Sequence, residues 1–109
     1  MNPVPGVGVA DLPADAVLLD VRESDEWAAG HAPDARHVPM NEVPARVAEL
    51  PEADPLYVIC RSGGRSGRVV AFLAQQGRSV VNVEGGMQAW AAQGRPMVGE
   101  HDGVPPDVI

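Results

Sequence analysis

Three short apolar runs constrain this chain most: Val17-Leu18-Leu19-Asp20-Val21, Leu56-Tyr57-Val58-Ile59-Cys60 and Val80-Val81-Asn82-Val83. The first shows no alternation until Asp20, as expected of a strand covered on both faces. Two weaker segments, Val7-Gly8-Val9 and His37-Val38-Pro39, read as a short edge strand and a brief strand. Helical patterns fall between them. Ser24 can cap a helix through Trp27 and Ala29 that Gly30 stops. Asn41 is an N-cap for a helix that puts Val43, Val47 and Leu50 on one face, with Pro44 in its first turn and Pro51 after it. Val69, Phe72 and Leu73 share a face of a helix over 67–76, with Gly77 as C′ residue. Another runs from about Met87 to Gln93, ended by Gly94 and followed by Pro96. Strands alternating with helices imply an α/β fold of three layers, α/β/α, around a mostly parallel sheet of about five strands.

In such a sheet the ligand crevice lies beyond the carboxyl ends of the strands. Asp20-Val21-Arg22, Cys60-Arg61 and Glu84-Gly85 occupy those ends. The middle one holds the only cysteine, followed by Arg61-Ser62-Gly63-Gly64-Arg65-Ser66 and then a helix. A strand–loop–helix turn aims backbone N–H groups and the positive end of the helix dipole back at the cysteine sulfur. Gly63 and Gly64 are free to take positive φ and wrap the backbone inward. Arg61 and Arg65 add permanent cations. A thiol so placed ionises with a pKa of roughly 3.5–7.5, against ~8.5 for a free cysteine. A lone cysteine closing an apolar strand is commonly just a small buried hydrophobe. Mere packing, however, gives no reason for two arginines and two glycines in the next five positions.

The remaining composition narrows the function by exclusion. With 109 residues the chain suits one domain, here an N-terminal segment over 1–16, a body over 17–97 and a loose tail over 98–109. A net charge of −7 argues against nucleic acid, and no apolar run is long enough to span a bilayer. Met1-Asn2-Pro3-Val4-Pro5 lacks the pattern of a secretory signal. One cysteine makes no internal disulfide, and a reactive free thiol suits a reducing compartment such as the cytoplasm. No His/Cys cluster has zinc spacing. An acidic body with a positive pocket selects small anions.

Three blocks of sequence resemble the rhodanese family of sulfurtransferases in its small single-domain form. Leu19-Asp20-Val21-Arg22-Glu23, with Glu26-Trp27, Gly30-His31 and His37-Val38-Pro39, is similar to the family's first signature. Val58 to Ser66 is similar to its active-site loop, and Asn82-Val83-Glu84-Gly85-Gly86-Met87-Gln88-Ala89-Trp90, with Gly94 and Pro96, to its closing signature. The resemblance implies that Cys60 attacks the outer sulfur of a donor such as thiosulfate, holds it as a persulfide, and passes it to cyanide, a small thiol or a protein thiol. It implies a donor site made of Arg61, Ser62, Gly63, Gly64, Arg65 and Ser66, and no metal or organic cofactor. Members of that family that use mercaptopyruvate tend to lack an arginine directly after the cysteine, so the resemblance implies that Arg61 favours thiosulfate or a similar donor. Where the family often has Gly-His-Ile-Pro-Gly-Ala, this chain has Gly30-His31-Ala32-Pro33-Asp34-Ala35, a departure that touches packing rather than chemistry.

Beside the loop, Asp20 and Arg22 read as a supporting ion pair. His31, Trp27 and Trp90 read as packing residues, and Glu84 as an anchor for its turn through backbone N–H groups. Two other functions compete. A phosphatase or arsenate reductase uses cysteine, five residues and then arginine to enclose a tetrahedral oxyanion. Here Arg65 comes one position too early, and the shorter loop suits a single sulfur atom. A non-catalytic or regulatory module of the same fold, one that binds a protein partner or relays persulfide to it, is the other alternative.

Overall fold

The computed structural model describes residues 4–109, so the first three residues of the N-terminal segment over 1–16 lie outside them. Five strands form one sheet: β1 (Gly6–Gly8), β2 (Leu18–Asp20), β3 (Arg36–His37), β4 (Leu56–Ile59) and β5 (Val80–Glu84). Their spatial order is β1-β5-β4-β2-β3, and all four pairings are parallel. The central strand is therefore the one that delivers Cys60. Three α-helices complete the α/β fold: α1 (Ser24–Ala29), α2 (Gly64–Gln75) and α3 (Gly86–Ala92).

The period-two geometry of the strands sends alternate side chains to two separate cores. Leu19, Val21, Leu56, Val58, Cys60 and Val80 face one side, where they meet Val69, Val70 and Leu73 of α2 together with Val43 and Leu50. Leu18, Ile59 and Val83 face the other side, against Val9, Leu12, Met87 and Trp90. Burial on both faces explains why β2 and β4 read as unbroken apolar runs. No helix among the described residues is long and apolar enough to cross a membrane.

Several local expectations are corrected. Glu23, not Ser24, caps α1: its side chain takes the Glu26 amide while the Glu26 carboxylate takes the Glu23 amide. The segment Met40–Glu49 is 3-10 rather than α, with Asn41 inside it and a break at Arg46 (φ −121°, ψ 21°). Pro44 withholds one N–H from the middle of that run, which discourages a continuous α ladder. Val43 and Leu50 are still buried, with Val47 packed beside them. The edge strand is shifted to Gly6–Gly8, and Val9–Asp11 forms a 3-10 turn.

The tail over 98–109, though mostly exposed, is hydrogen-bonded to the region of α1. Val98 forms an antiparallel bridge with His31, the Glu100 amide donates to the Ala28 carbonyl, and the Asp107 amide to the Ala29 carbonyl (2.9 Å each). Composition suggested looseness because proline and acidic residues rarely fill a core. These partners are main-chain groups, to which composition is blind.

Candidate active site

Cys60 follows β4 directly and is only 1% exposed. Its loop is bent into shape by α3 and by the start of α2. The Met87 amide donates to the Cys60 carbonyl (2.8 Å) and the Gln88 amide to the Arg61 carbonyl (3.0 Å). With those carbonyls held outward, the following N–H groups are free to turn inward. Gly63 sits at φ +111°, a left-handed conformation that favours glycine, and its N–H reaches the Cys60 sulfur at 3.1 Å. Gly64 does not share that conformation. It is the first residue of α2, and a side chain there would meet open space.

Ser66 is fully buried, with its hydroxyl 3.2 Å from the Cys60 sulfur and 2.5 Å from Asn82 Oδ1. Asn82, on β5, donates through Nδ2 to the Gly63 carbonyl at 3.2 Å, which ties the sheet to the loop. Burial pushes the Cys60 thiol up. Against it, the Ser66 hydroxyl and the amides of Ser66, Gly63 and Ser62 pull it down, and the net result lies below the ordinary value. Backbone amides and one hydroxyl, rather than the two arginines, lead this stabilisation of the thiolate.

The arginines have separate partners. Arg65 forms a two-pronged bond to Glu26 of α1, Nη1 to Oε1 at 2.6 Å and Nη2 to Oε2 at 2.8 Å. Arg61 is exposed and donates from Nε to the main-chain oxygen of Ile109 at 2.9 Å. Ser62 is exposed at the rim. The Asp20–Arg22 pair is entirely buried: Arg22 Nη2 lies 2.8 Å from Asp20 Oδ2 and also donates to the Gly30 carbonyl at 2.7 Å, while Nη1 reaches the Glu26 carbonyl at 3.3 Å. It braces α1, and α1 in turn presents Glu26 to Arg65. The pair therefore touches the loop only through that relay.

His31 stacks on Trp27 (centroids 3.5 Å apart) and lies on the α1 side, with Glu100 at 2.6 Å from Nε2. Trp90 packs against the second core and donates to the Pro96 carbonyl. Glu84 lies over Gly6, and among the described residues its carboxylate takes none of the turn amides. Sequence reading missed two members of the site, Glu26 and Asn82. A polar residue in the apolar run Val80-Val81-Asn82-Val83 was the available signal for the second.

A sulfur at the end of a central strand, held by the Gly63 amide and the Ser66 hydroxyl, defines a small anion-stabilising cradle. The model of the rhodanese-like domain matches residues 9–93. The chain belongs to the rhodanese family. Among similar proteins, a sulfurtransferase of Allochromatium vinosum is 44% identical over 85 residues, covering 77% of this chain and 79% of that one. The thiosulfate sulfurtransferase GlpE of Pseudomonas savastanoi pv. phaseolicola is 36% identical, covering 71% and 74%. The crystal structure of a rhodanese-related protein from Thermoplasma volcanium superposes with a TM-score of 0.80 at 35% identity, covering 86% of this chain and 97% of that one. The rhodanese fold and the family are thus established, and the relatives named here include sulfurtransferases.

Proposed function

We propose that this rhodanese domain is a thiosulfate sulfurtransferase working through a persulfide on Cys60. The observation that carries the reading is the pair of donors on the sulfur, the Gly63 amide at 3.1 Å and the Ser66 hydroxyl at 3.2 Å. The Cys60 thiolate attacks the outer sulfur of thiosulfate. A sulfur–sulfur bond forms, the bond to the sulfonate group breaks, and sulfite leaves with the electron pair. The terminal sulfur of the persulfide carries the negative charge, and inward N–H groups suit it as they suit the thiolate. An acceptor nucleophile (cyanide, a small thiol or a protein thiol) then takes that sulfur, and the Cys60 thiolate departs. No metal or organic cofactor enters this scheme. Arg61, exposed beside the loop, pairs with the anionic end of the donor. Ser62 and Gly64 leave the mouth uncrowded, and Arg65 holds the loop and its charge. Asp20 and Arg22 support it from behind through α1. A free reactive thiol fits a reducing compartment, the cytoplasm.

Mass spectrometry after incubation with thiosulfate tests the reading. Cys60 gains one sulfur, and Cys60→Ser gains none. Failure to load any sulfur donor would favour the non-catalytic module, and turnover of p-nitrophenyl phosphate without sulfur transfer would favour the phosphatase. Arg61→Ala raises KM for thiosulfate while thermal stability changes little, because its side chain is exposed; unchanged kinetics would remove Arg61 from the donor site.

A further inference from the structure

Ser66 carries one hydroxyl proton, yet two acceptors compete for it. The Cys60 sulfur lies 3.2 Å from Oγ and Asn82 Oδ1 lies 2.5 Å from it. The orientation of the Asn82 amide is fixed by its other end, since Nδ2 donates to the Gly63 carbonyl. Turning the amide over would set Oδ1 against that carbonyl. Asn82 is only 8% exposed and Ser66 is fully buried, so solvent offers the hydroxyl little alternative.

We infer that Asn82 is a positioning residue that competes with the Cys60 sulfur for the Ser66 hydroxyl and thereby sets how basic, and how nucleophilic, that sulfur is. This rests on the reading of Cys60 as the nucleophile. In the thiol form the Ser66 O–H donates to Asn82, and the Cys60 S–H donates to Ser66 Oγ. On ionisation the thiol proton leaves to water, and the Ser66 O–H is drawn towards the sulfur and away from Asn82. That swing leaves Oδ1 facing a hydroxyl lone pair, so Asn82 opposes it. A sulfur holding the hydroxyl unopposed would ionise more easily but attack more weakly, because intrinsic thiolate nucleophilicity falls with pKa. Asn82 keeps the sulfur between these extremes.

The charged and titratable groups at this end of the sheet are Arg61 of the loop, Arg65 of α2 with Glu26 of α1 and Glu23 before it, Asp20 at the end of β2 with Arg22 just beyond, His37 of β3, and Glu84 of β5. None of them bonds to Ser66 or Asn82, so removing the Asn82 amide changes the hydroxyl without changing a charge.

Cys60 is the only cysteine, so its alkylation by iodoacetamide across pH reads its ionisation directly and needs no sulfur donor. Asn82→Leu, similar in size and apolar, is expected to lower the apparent pKa by about one unit and to slow the high-pH plateau rate by about threefold. Ser66→Ala is expected to raise the pKa, and adding Asn82→Leu to it should shift nothing further. Asn82→Asp keeps an acceptor on Ser66, raises the pKa, and does so by less when Ser66 is alanine. It provides the decision if the leucine variant fails to fold. An unchanged profile in Asn82→Leu, or equal shifts with and without Ser66, overturns the proposal. The proposed sulfur transfer is tested separately: loss of thiosulfate turnover with these titration shifts intact would refute that function and leave the role of Asn82 standing.

Discussion

At Glu26 a single carboxylate does two tasks. One oxygen takes the Glu23 amide to close the cap of α1 at 2.9 Å, and both oxygens receive the fork of Arg65. The bond to Arg65, opposed by burial and aided by the Glu23 amide, holds its pKa down to about 2. A carboxyl depressed in the folded state stabilises the protein above its unfolded pKa, and that stabilisation drains away as pH falls. The window here runs from 4.5, the ordinary value, down to about 2. Glu26→Gln is therefore expected to cost on the order of 2–3 kcal/mol at pH 7. The difference from the parent should shrink as denaturation is repeated at lower pH through that window; a constant gap would refute the assignment. Cys60 was legible in the sequence because its neighbours in the chain are its chemical environment. Glu26 was not, since its partner is 39 positions away and carboxylates on a short surface helix need no special reason.

At the scale of elements, the loop owes its shape to α3 as much as to its own residues. Gly86 sits at φ +54°, and a side chain there would collide with the Cys60 carbonyl and with the Arg61 main chain at 2.7 Å. Gly86→Ala therefore combines a left-handed residue with a backbone clash, at about 3 kcal/mol or more. Gly64→Ala is the contrast: its site is open and helical, so stability should hold or rise by about 0.5–1 kcal/mol. Chemical denaturation of the two variants checks the pair, and similar losses would contradict the geometry. β2, β4 and β5 were readable because burial on both faces leaves apolar runs, whereas the short, more exposed β1 and β3 carry little such signal. Met40–Glu49 reads as α-helix for a definite reason: the spacing of four and then three residues at Val43, Val47 and Leu50 is the α period, and a 3-10 run buries Val43 and Leu50 together only because it breaks between them. The local break at Arg46 leaves no mark in that spacing.

Across the whole molecule, the C-terminal segment completes a helix too short to stand alone. α1 has six residues, and its last carbonyls need partners from outside. The Glu26 and Trp27 carbonyls take the Gly30 amide, Ala28 takes the Glu100 amide, Ala29 takes the Asp107 amide, and Gly30 takes Arg22. Gly30 allows this approach by lacking a side chain, since a Cβ there would lie 2.6 Å from the Asp107 carbonyl oxygen. Glu100 also meets His31, and the Ile109 oxygen reaches Arg61, so the segment spans from α1 to the loop. Deleting residues after Met97 should strip two of those carbonyl partners and lower stability by about 2 kcal/mol, a fall of roughly 8–16 °C in Tm for a domain of this size. Because α1 presents Glu26 to Arg65, truncation and Glu26→Gln act on one structure and should not add. A double-mutant cycle is expected to show coupling of about 0.5–3 kcal/mol, the truncated protein losing less from Glu26→Gln than the full chain does. Additive losses would mean that the tail steadies the fold without steadying the arginine behind Cys60.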